Sequence, residues 1–261
     1  MTSARKFVGV DGCRGGWIAV ALETDGSWAA EIYPKLLSVW ERNRDAALFL
    51  VDMPIGLASG SHGGKRRCYG KARQRLKPFR ASSIFSAPIR EALAAGSYAE
   101  ANALSRQLTG AGLSKQAWNL APKIREADAL ARLLLEGSGP PLFESHPELC
   151  LAELFGGPMR HNKKTPQGFD ERLSHISRLF PEAPEVVACA MERFRRKDAA
   201  RDDIVDALVL AAAAWSGGGR LEQVPAEPEY DACGLPMRIV FAPPGPRSAF
   251  DQADVRSHTK Q

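Results

Sequence analysis

Four short acidic motifs lie far apart in the chain, each beside an apolar run: Val10-Asp11-Gly12, Val51-Asp52-Met53-Pro54, Phe143 to Glu148, and Asp202 to Leu208. A carboxylate against apolar sequence is costly to keep ionised unless positive charge sits among such groups. A divalent cation supplies that charge. Mg²⁺ and Mn²⁺ prefer oxygen ligands, which Asp and Glu provide, and the absence of clustered Cys or His argues against zinc. Two such ions about 4 Å apart can activate a water and stabilise the leaving oxygen of a phosphodiester. The expected metal ligands are Asp11, Asp52, Asp203 and Asp206, and these four with Glu144 are the candidate catalytic residues, Glu144 as a ligand, a supporting residue or a substrate contact. His146 is a candidate acid or base, although a lone histidine is more often structural.

These acids must be positioned by elements that the sequence also marks. Residues 6–11 read as a buried strand ending on Asp11, followed by a Gly-rich turn at 12–16. Residues 17–23 and 28–33 complete a meander, with Asp25-Gly26 as a hairpin signal. Residues 36–44 read as a helix, and 46–51 as an unbroken apolar strand ending on Asp52 and stopped by Pro54. If the strands carrying Asp11 and Asp52 are parallel neighbours, their ends lie about 5 Å apart. Asp203 and Asp206, spaced i, i+3, share a helix face at the start of a helix over 202–215. That helix is apolar after its first turn, hence buried.

Residues 57–139 break the strand rhythm and read as a helical insertion, with helices at 87–94, 99–108 and 115–136. A short strand at 142–144 ends on Glu144. Helices follow at 147–155, 169–179 and 185–195, and residues 238–242 form a last edge strand. From residue 243 the chain is Pro-, Gly- and charge-rich and is expected to be disordered. The fold class is therefore α/β: one domain over 1–242, a mixed five-stranded sheet flanked by helices, with the insertion after the fourth strand.

The charge is uneven. Lys and Arg number 35 against 30 Asp and Glu, a net charge of +5. Eight basic residues fall between Lys65 and Arg80, and no acid occurs from Met53 to Arg90. Such a block favours a polyanion. Arg73, Lys77 and Arg80 in this block, and Arg14 in the Gly-rich turn, are candidate phosphate contacts. Lys115, Lys123 and Arg125 fall on one expected helix, with Lys115 and Lys123 on a similar face. Lys163 and Lys164 add a basic loop. Trp118 is a candidate stacking platform for a base, against the commoner case of a buried tryptophan.

At 261 residues the chain suits one large domain. Its five scattered cysteines form no C-x-x-C pair, so neither a zinc ribbon nor a redox dithiol is indicated. No run approaches the ~20 apolar residues of a membrane span. The N-terminus carries no signal-peptide apolar region, which points to the cytoplasm.

The motifs together resemble a known family. They are residues 9–17 (Gly9-Val10-Asp11-Gly12-Cys13-Arg14-Gly15-Gly16-Trp17), 51–57, 82–88, 114–120, 122–128, 144–148, 163–168 and 202–208. Over roughly residues 6–215 the chain is similar to an uncharacterised family described as predicted nucleases of RNase H-like fold, domain of unknown function 429. The resemblance implies an RNase H-like fold, with acids on the first strand, the fourth strand and the C-terminal helix at Asp11, Asp52 and Asp206. It also implies a nuclease acting on DNA or RNA.

Two further readings stand beside a metal-dependent nuclease. One is a non-catalytic nucleic-acid-binding module on the same scaffold. The other is an ATP-dependent phosphotransferase of the actin and sugar-kinase type, whose Asp-Gly phosphate turn is similar to residues 11–16. Such enzymes use two domains around a cleft, and this chain shows one set of motifs.

Overall fold

The computed structural model describes residues 4–244. The chain opens with β1 (Lys6–Cys13), β2 (Gly16–Glu23) and β3 (Trp28–Tyr33), an antiparallel meander. The β2–β3 hairpin turns at Gly26, whose φ of +90° disfavours any side chain. Helix α1 (Leu36–Arg42) leads to β4 (Ala46–Val51), which returns parallel to β1. The expected insertion follows as a run of helices: α2 (Arg67–Arg75), α3 (Arg90–Leu93), α4 (Tyr98–Thr109), α5 (Lys115–Asn119) and α6 (Ala121–Glu136). Strand β5 (Leu142–Glu144) then pairs parallel with β4. Helices α7 (Pro147–Phe155), α8 (Pro166–Leu179), α9 (Ala183–Arg193) and α10 (Arg201–Ser216) come next. A hairpin of β6 (Glu222–Tyr230) and β7 (Pro236–Phe241) closes the described chain.

Among the described residues the main sheet has five strands in the order β3-β2-β1-β4-β5. This mixed sheet, flanked by helices and with a helical segment after its fourth strand, is the RNase H-like arrangement expected from the sequence. Side chains alternate across it. Phe7, Ile18, Leu48 and Leu50 face the core that contains α10, whereas Val8, Val10, Phe49 and Val51 face α1 and α6. Helix α10 lies directly on β1 at Gly9. A methyl group there would overlap the Ala207 carbonyl oxygen and the Ala211 nitrogen, and would sit 2.9 Å from Leu210 Cβ. That contact seats the middle of α10 on the middle of β1.

The structure corrects three expectations. The helix read over 115–136 is two helices meeting at Leu120. Pro122 has no N–H to bond the preceding turn, so α6 begins afresh around it. Lys115 and Lys123 therefore do not share one helix face. The edge strand read at 238–242 is β7, which pairs with β6 and, among the described residues, is linked beside the main sheet by a bridge between Ser145 and Val240. Strand β6 gave no sequence signal because Pro225 and Pro228 interrupt it, and its pairing shifts register between Val224 and Glu229. Within the basic block, residues 67–75 are helical and Arg66, Arg73 and Arg80 are internally bonded. Helix α8 starts three residues earlier than expected, where Thr165 accepts from the Gly168 N–H at 3.1 Å.

No helix among the described residues is long and apolar enough to cross a membrane. Of the tail expected to be disordered, residues 245–261 lie outside the described residues.

Candidate metal centre

Strand periodicity and one register decide which acids meet. Asp11 has the parity of Phe7 and Gly9, so it emerges on the α10 side of β1. Asp52 has the parity of Leu48 and Leu50, so it emerges on the same side of β4. The two strands are locked in parallel, Val10 opposite Val51, and the Asp52 N–H donates to the Val10 carbonyl at 2.9 Å. Asp206, in the second turn of α10, comes down onto both. One carboxylate oxygen from each of Asp11, Asp52 and Asp206 lies within 4.8 Å of the other two. Asp11 and Asp206 are buried, at 9% and 2% exposure, and Asp52 is half-buried.

The electrostatics of the cluster follow from burial and crowding. Burial first, and then the neighbouring charge of Asp206, push the Asp52 carboxyl up to about 7. Burial, then Asp52 and Asp206, hold Asp11 well above the usual carboxylate range. Lys163 supplies the local counter-charge, its ammonium bonding the Asp206 carboxylate. Burial pulls the Lys163 ammonium down, but Asp206 and Asp11 outweigh it and hold it above the ordinary lysine range. The Asp11 carboxylate also accepts from the Gly12 N–H at 2.6 Å, which fixes its rotamer.

Asp203 stands one turn earlier on α10, outside that group of three. Its carboxylate accepts from the Ala200 N–H at 2.9 Å, a role at the helix start, while its charge still raises Asp11. Glu144 is placed differently from the sequence expectation of acids without paired bases. The β4–β5 register sets Glu144 opposite Val51 rather than Asp52, so it stays outside the group of three, although the Asp52 charge still raises it. There it forms a two-pronged ion pair with Arg66, one arm of it 2.9 Å long, and accepts from the Ile55 N–H at 2.8 Å. Both partners are buried, Arg66 at 5% and Glu144 at 6% exposure. His146 has a buried Nδ1 with no hydrogen-bond partner, and its Nε2 lies 3.4 Å from the Ser83 carbonyl. Burial lowers its pKa. Together with Asp52 and Glu144 it lines a recess of about 20 Å³, room for one water.

The candidate substrate contacts scatter. Lys163 belongs to the acidic cluster itself. Lys123 reaches from α6 to the Gly16 carbonyl, with its ammonium 4.6 Å from the Trp17 ring centroid, and fills the space over Gly12. Arg14 is exposed in the turn between β1 and β2, which is pinned to the chain before α10 by a 2.7 Å bond from the Gly15 N–H to the Asp198 carbonyl. Arg73 bonds the Ile84 carbonyl and Ser86, Arg80 bonds the Met159 and Arg160 carbonyls, and Arg125 bonds the Leu93 carbonyl. Arg80 thus ties the insertion to the rest of the domain, whereas Arg73 and Arg125 brace the insertion internally. Lys77, Lys115 and Lys164 are exposed. Trp118 is half-buried between two cores, 6.5 Å from Tyr98 and 5.8 Å from Arg125.

Sequence reading missed Arg66 as the partner of Glu144, and Arg172 as the partner of Glu148 in a second buried pair at 2.5 Å. It also passed over Arg196 and Arg201, which border a cavity beside the cluster. Five basic residues between Arg193 and Arg201 were the available signal.

A family model described as "Protein of unknown function (DUF429)" matches residues 9–230, which include all three clustered aspartates. No curated protein and no solved structure matches the chain.

Proposed function

For this chain, which belongs to the DUF429 family, we propose a divalent-metal-dependent phosphodiesterase acting on nucleic acid. The observation that carries the proposal is the convergence of Asp11, Asp52 and Asp206 within 4.8 Å of one another, with Lys163 as their local cation. Once metal binding has displaced the protons that burial holds on Asp11 and Asp52, three ionised carboxylates and one ammonium leave two negative charges, the charge of one divalent ion. The donors are all carboxylate oxygens, which favours Mg²⁺ or Mn²⁺ over zinc.

Asp11, Asp52 and Asp206 would hold the ion. When bound, it supplies Lewis acidity toward a phosphoryl oxygen and a more acidic water. The chain's own groups do the rest. β1 and β4 fix two carboxylates through the sheet ladder, so little reorganisation accompanies loading. Lys163 restrains Asp206 and brings positive charge to where a phosphate would approach. Lys123 and Arg14 carry positive charge at the adjoining turn.

The test is calorimetric titration with Mn²⁺ followed by cleavage assays on DNA and RNA. Asp11→Asn and Asp206→Asn should each abolish cleavage, and each should weaken Mn²⁺ binding. Intact protein that binds no Mn²⁺, or cleavage that survives both substitutions, would overturn the proposal.

A second reading is a non-catalytic nucleic-acid-binding module. The Lys163 contact with Asp206 favours it, because the ammonium already occupies part of the acidic cluster. Strand binding without metal uptake or turnover would select that reading.

A further inference from the structure

Lys163 has two environments. Its ammonium bonds Asp206, and its chain also borders a cavity of about 400 Å³ formed by the loop before α8, the end of α9 and the start of α10. Lys164, Arg196 and Arg201 border the same space, with Asp202 the single acid among the lining residues. The guanidinium of Arg201 is held 4.1 Å from the Phe169 ring centroid, so it is placed rather than loose. Between the cations the wall is apolar. Met191 is 47% exposed there, and Phe194 is half-buried beside it.

We propose that this cavity holds one unpaired nucleotide of a single-stranded nucleic acid, the nucleotide flanking the phosphodiester presented to the carboxylates. The proposal rests on the phosphodiesterase reading of the aspartate cluster and names its substrate class. The volume falls in the range of pockets that enclose a small molecule, about 300–1,000 Å³. An apolar wall within a ring of cations matches a base with its phosphates, since bases stack on apolar and aromatic side chains while lysine and arginine follow the backbone. Lys163 places the cavity one side chain away from Asp206, so a ligand seated here continues toward the cluster instead of ending short of it. A base inside a duplex is stacked above and below, and it cannot enter a recess of this size without leaving the helix. The strand must therefore be single at this point.

The experiment uses the full chain in EDTA, which separates binding from metal chemistry. Fluorescence anisotropy is measured with a labelled oligonucleotide of about twelve residues, in DNA and RNA forms, and with the matching blunt duplexes. Lys164→Gln combined with Arg196→Gln changes two exposed cations outside the aspartate cluster, and Met191→Glu places a charge on the apolar wall. The intact chain should bind at least one of the two single strands about tenfold more tightly than its duplex, and each variant should lose about tenfold or more of that affinity. Duplex binding equal to single-strand binding, or variants that bind the single strand like the intact chain, would overturn the proposal. Circular dichroism confirms that each variant is folded. Mn²⁺ calorimetry on the same proteins separates the two ideas: lost strand binding with retained metal binding isolates the cavity's role. Strand binding through the cavity in a chain that takes up no Mn²⁺ would sink the phosphodiesterase reading and leave the cavity assignment standing.

Discussion

Metal uptake at the aspartate cluster should be tied to protons, and the structure sets the size of the effect. Asp52 titrates at about 7 in the metal-free fold, because burial and Asp206 disfavour its charge. A divalent ion binds the ionised form and must displace that proton. From pH 6 to pH 8 the ionised fraction of a group at 7 grows about tenfold, so apparent Mn²⁺ affinity should rise about tenfold from Asp52 alone. Asp11 is also raised and adds to this in the same direction. At pH 7 Asp52 alone should release about half a proton per ion bound, visible as a buffer-dependent heat in calorimetry. Stability carries the matching sign. The folded-state value exceeds the unfolded one, so the metal-free fold binds more protons than the unfolded chain between about pH 4 and pH 7 and loses stability as pH rises through that window. From the ordinary 3.8 to about 7, the loss is at most about 4 kcal/mol, and less because Asp52 keeps some contact with water. Lys163 does not alter this trend. Its raised value gives a stabilisation fully present below the ordinary lysine range and lost only at higher pH. The thermal shift produced by Mn²⁺ should therefore be larger at pH 8 than at pH 6. Affinity that is flat or falling across this range, with no buffer-dependent heat, would refute the reasoning.

Two substitutions test how the fold builds the site. Gly9→Ala drives a methyl group into the backbone of α10 and should cost about 1–3 kcal/mol in denaturant unfolding, with weaker Mn²⁺ binding because Asp206 rides on that helix. Unfolding and metal affinity matching the native chain would show that α10 does not rest on β1 as described. Glu144→Ala leaves the Arg66 guanidinium buried without its partner and should cost about 3–5 kcal/mol, whereas Arg66→Met combined with Glu144→Leu should recover much of that loss and retain Mn²⁺ binding. A Glu144→Ala protein of native stability that no longer binds metal would instead place Glu144 at the metal.

Much of the site was legible because strand parity is a sequence property. Asp11 follows Phe7 and Gly9 at period two, Asp52 follows Leu48 and Leu50, and both strands announce themselves as apolar runs. Asp206 was legible because an all-apolar helix must lie against the sheet. Glu144 was not, because its face depends on whether it pairs with Val51 or Asp52, and a three-residue strand carries too little pattern to set that register. Its partner Arg66 lay 78 residues away inside a basic block read as a polyanion contact. The β6–β7 hairpin escaped for a local reason: Pro225 and Pro228 break the ladder pattern, and tertiary packing restores pairing around them. The break at Leu120 was readable in principle from Pro122, but the apolar periodicity on either side runs through it.

The remaining buried acids act as an internal control on the cluster. Asp128 is matched by Arg90 and Arg132, Glu144 by Arg66, and Glu148 by Arg172. In each case the guanidinium sits within 3.0 Å of the carboxylate, the arrangement that makes a buried charge tolerable. Asp11, Asp52 and Asp206 break that pattern. Three carboxylates crowd together, and the cation bonded among them is one lysine. Arginine is the better partner for a permanent buried pair, because its fork fixes two oxygens at once. Lysine holds only a point contact on a flexible stem and leaves other carboxylate oxygens of the cluster open. A fold that balances its other buried acids with arginine and leaves this group short of charge is spending stability at one place, and with its carboxylates ionised the missing charge equals that of one divalent cation. The same reasoning bears on Lys163→Arg: a fork that tied up both Asp206 oxygens would compete with the ion for its ligand and turn a loadable site into a closed salt bridge.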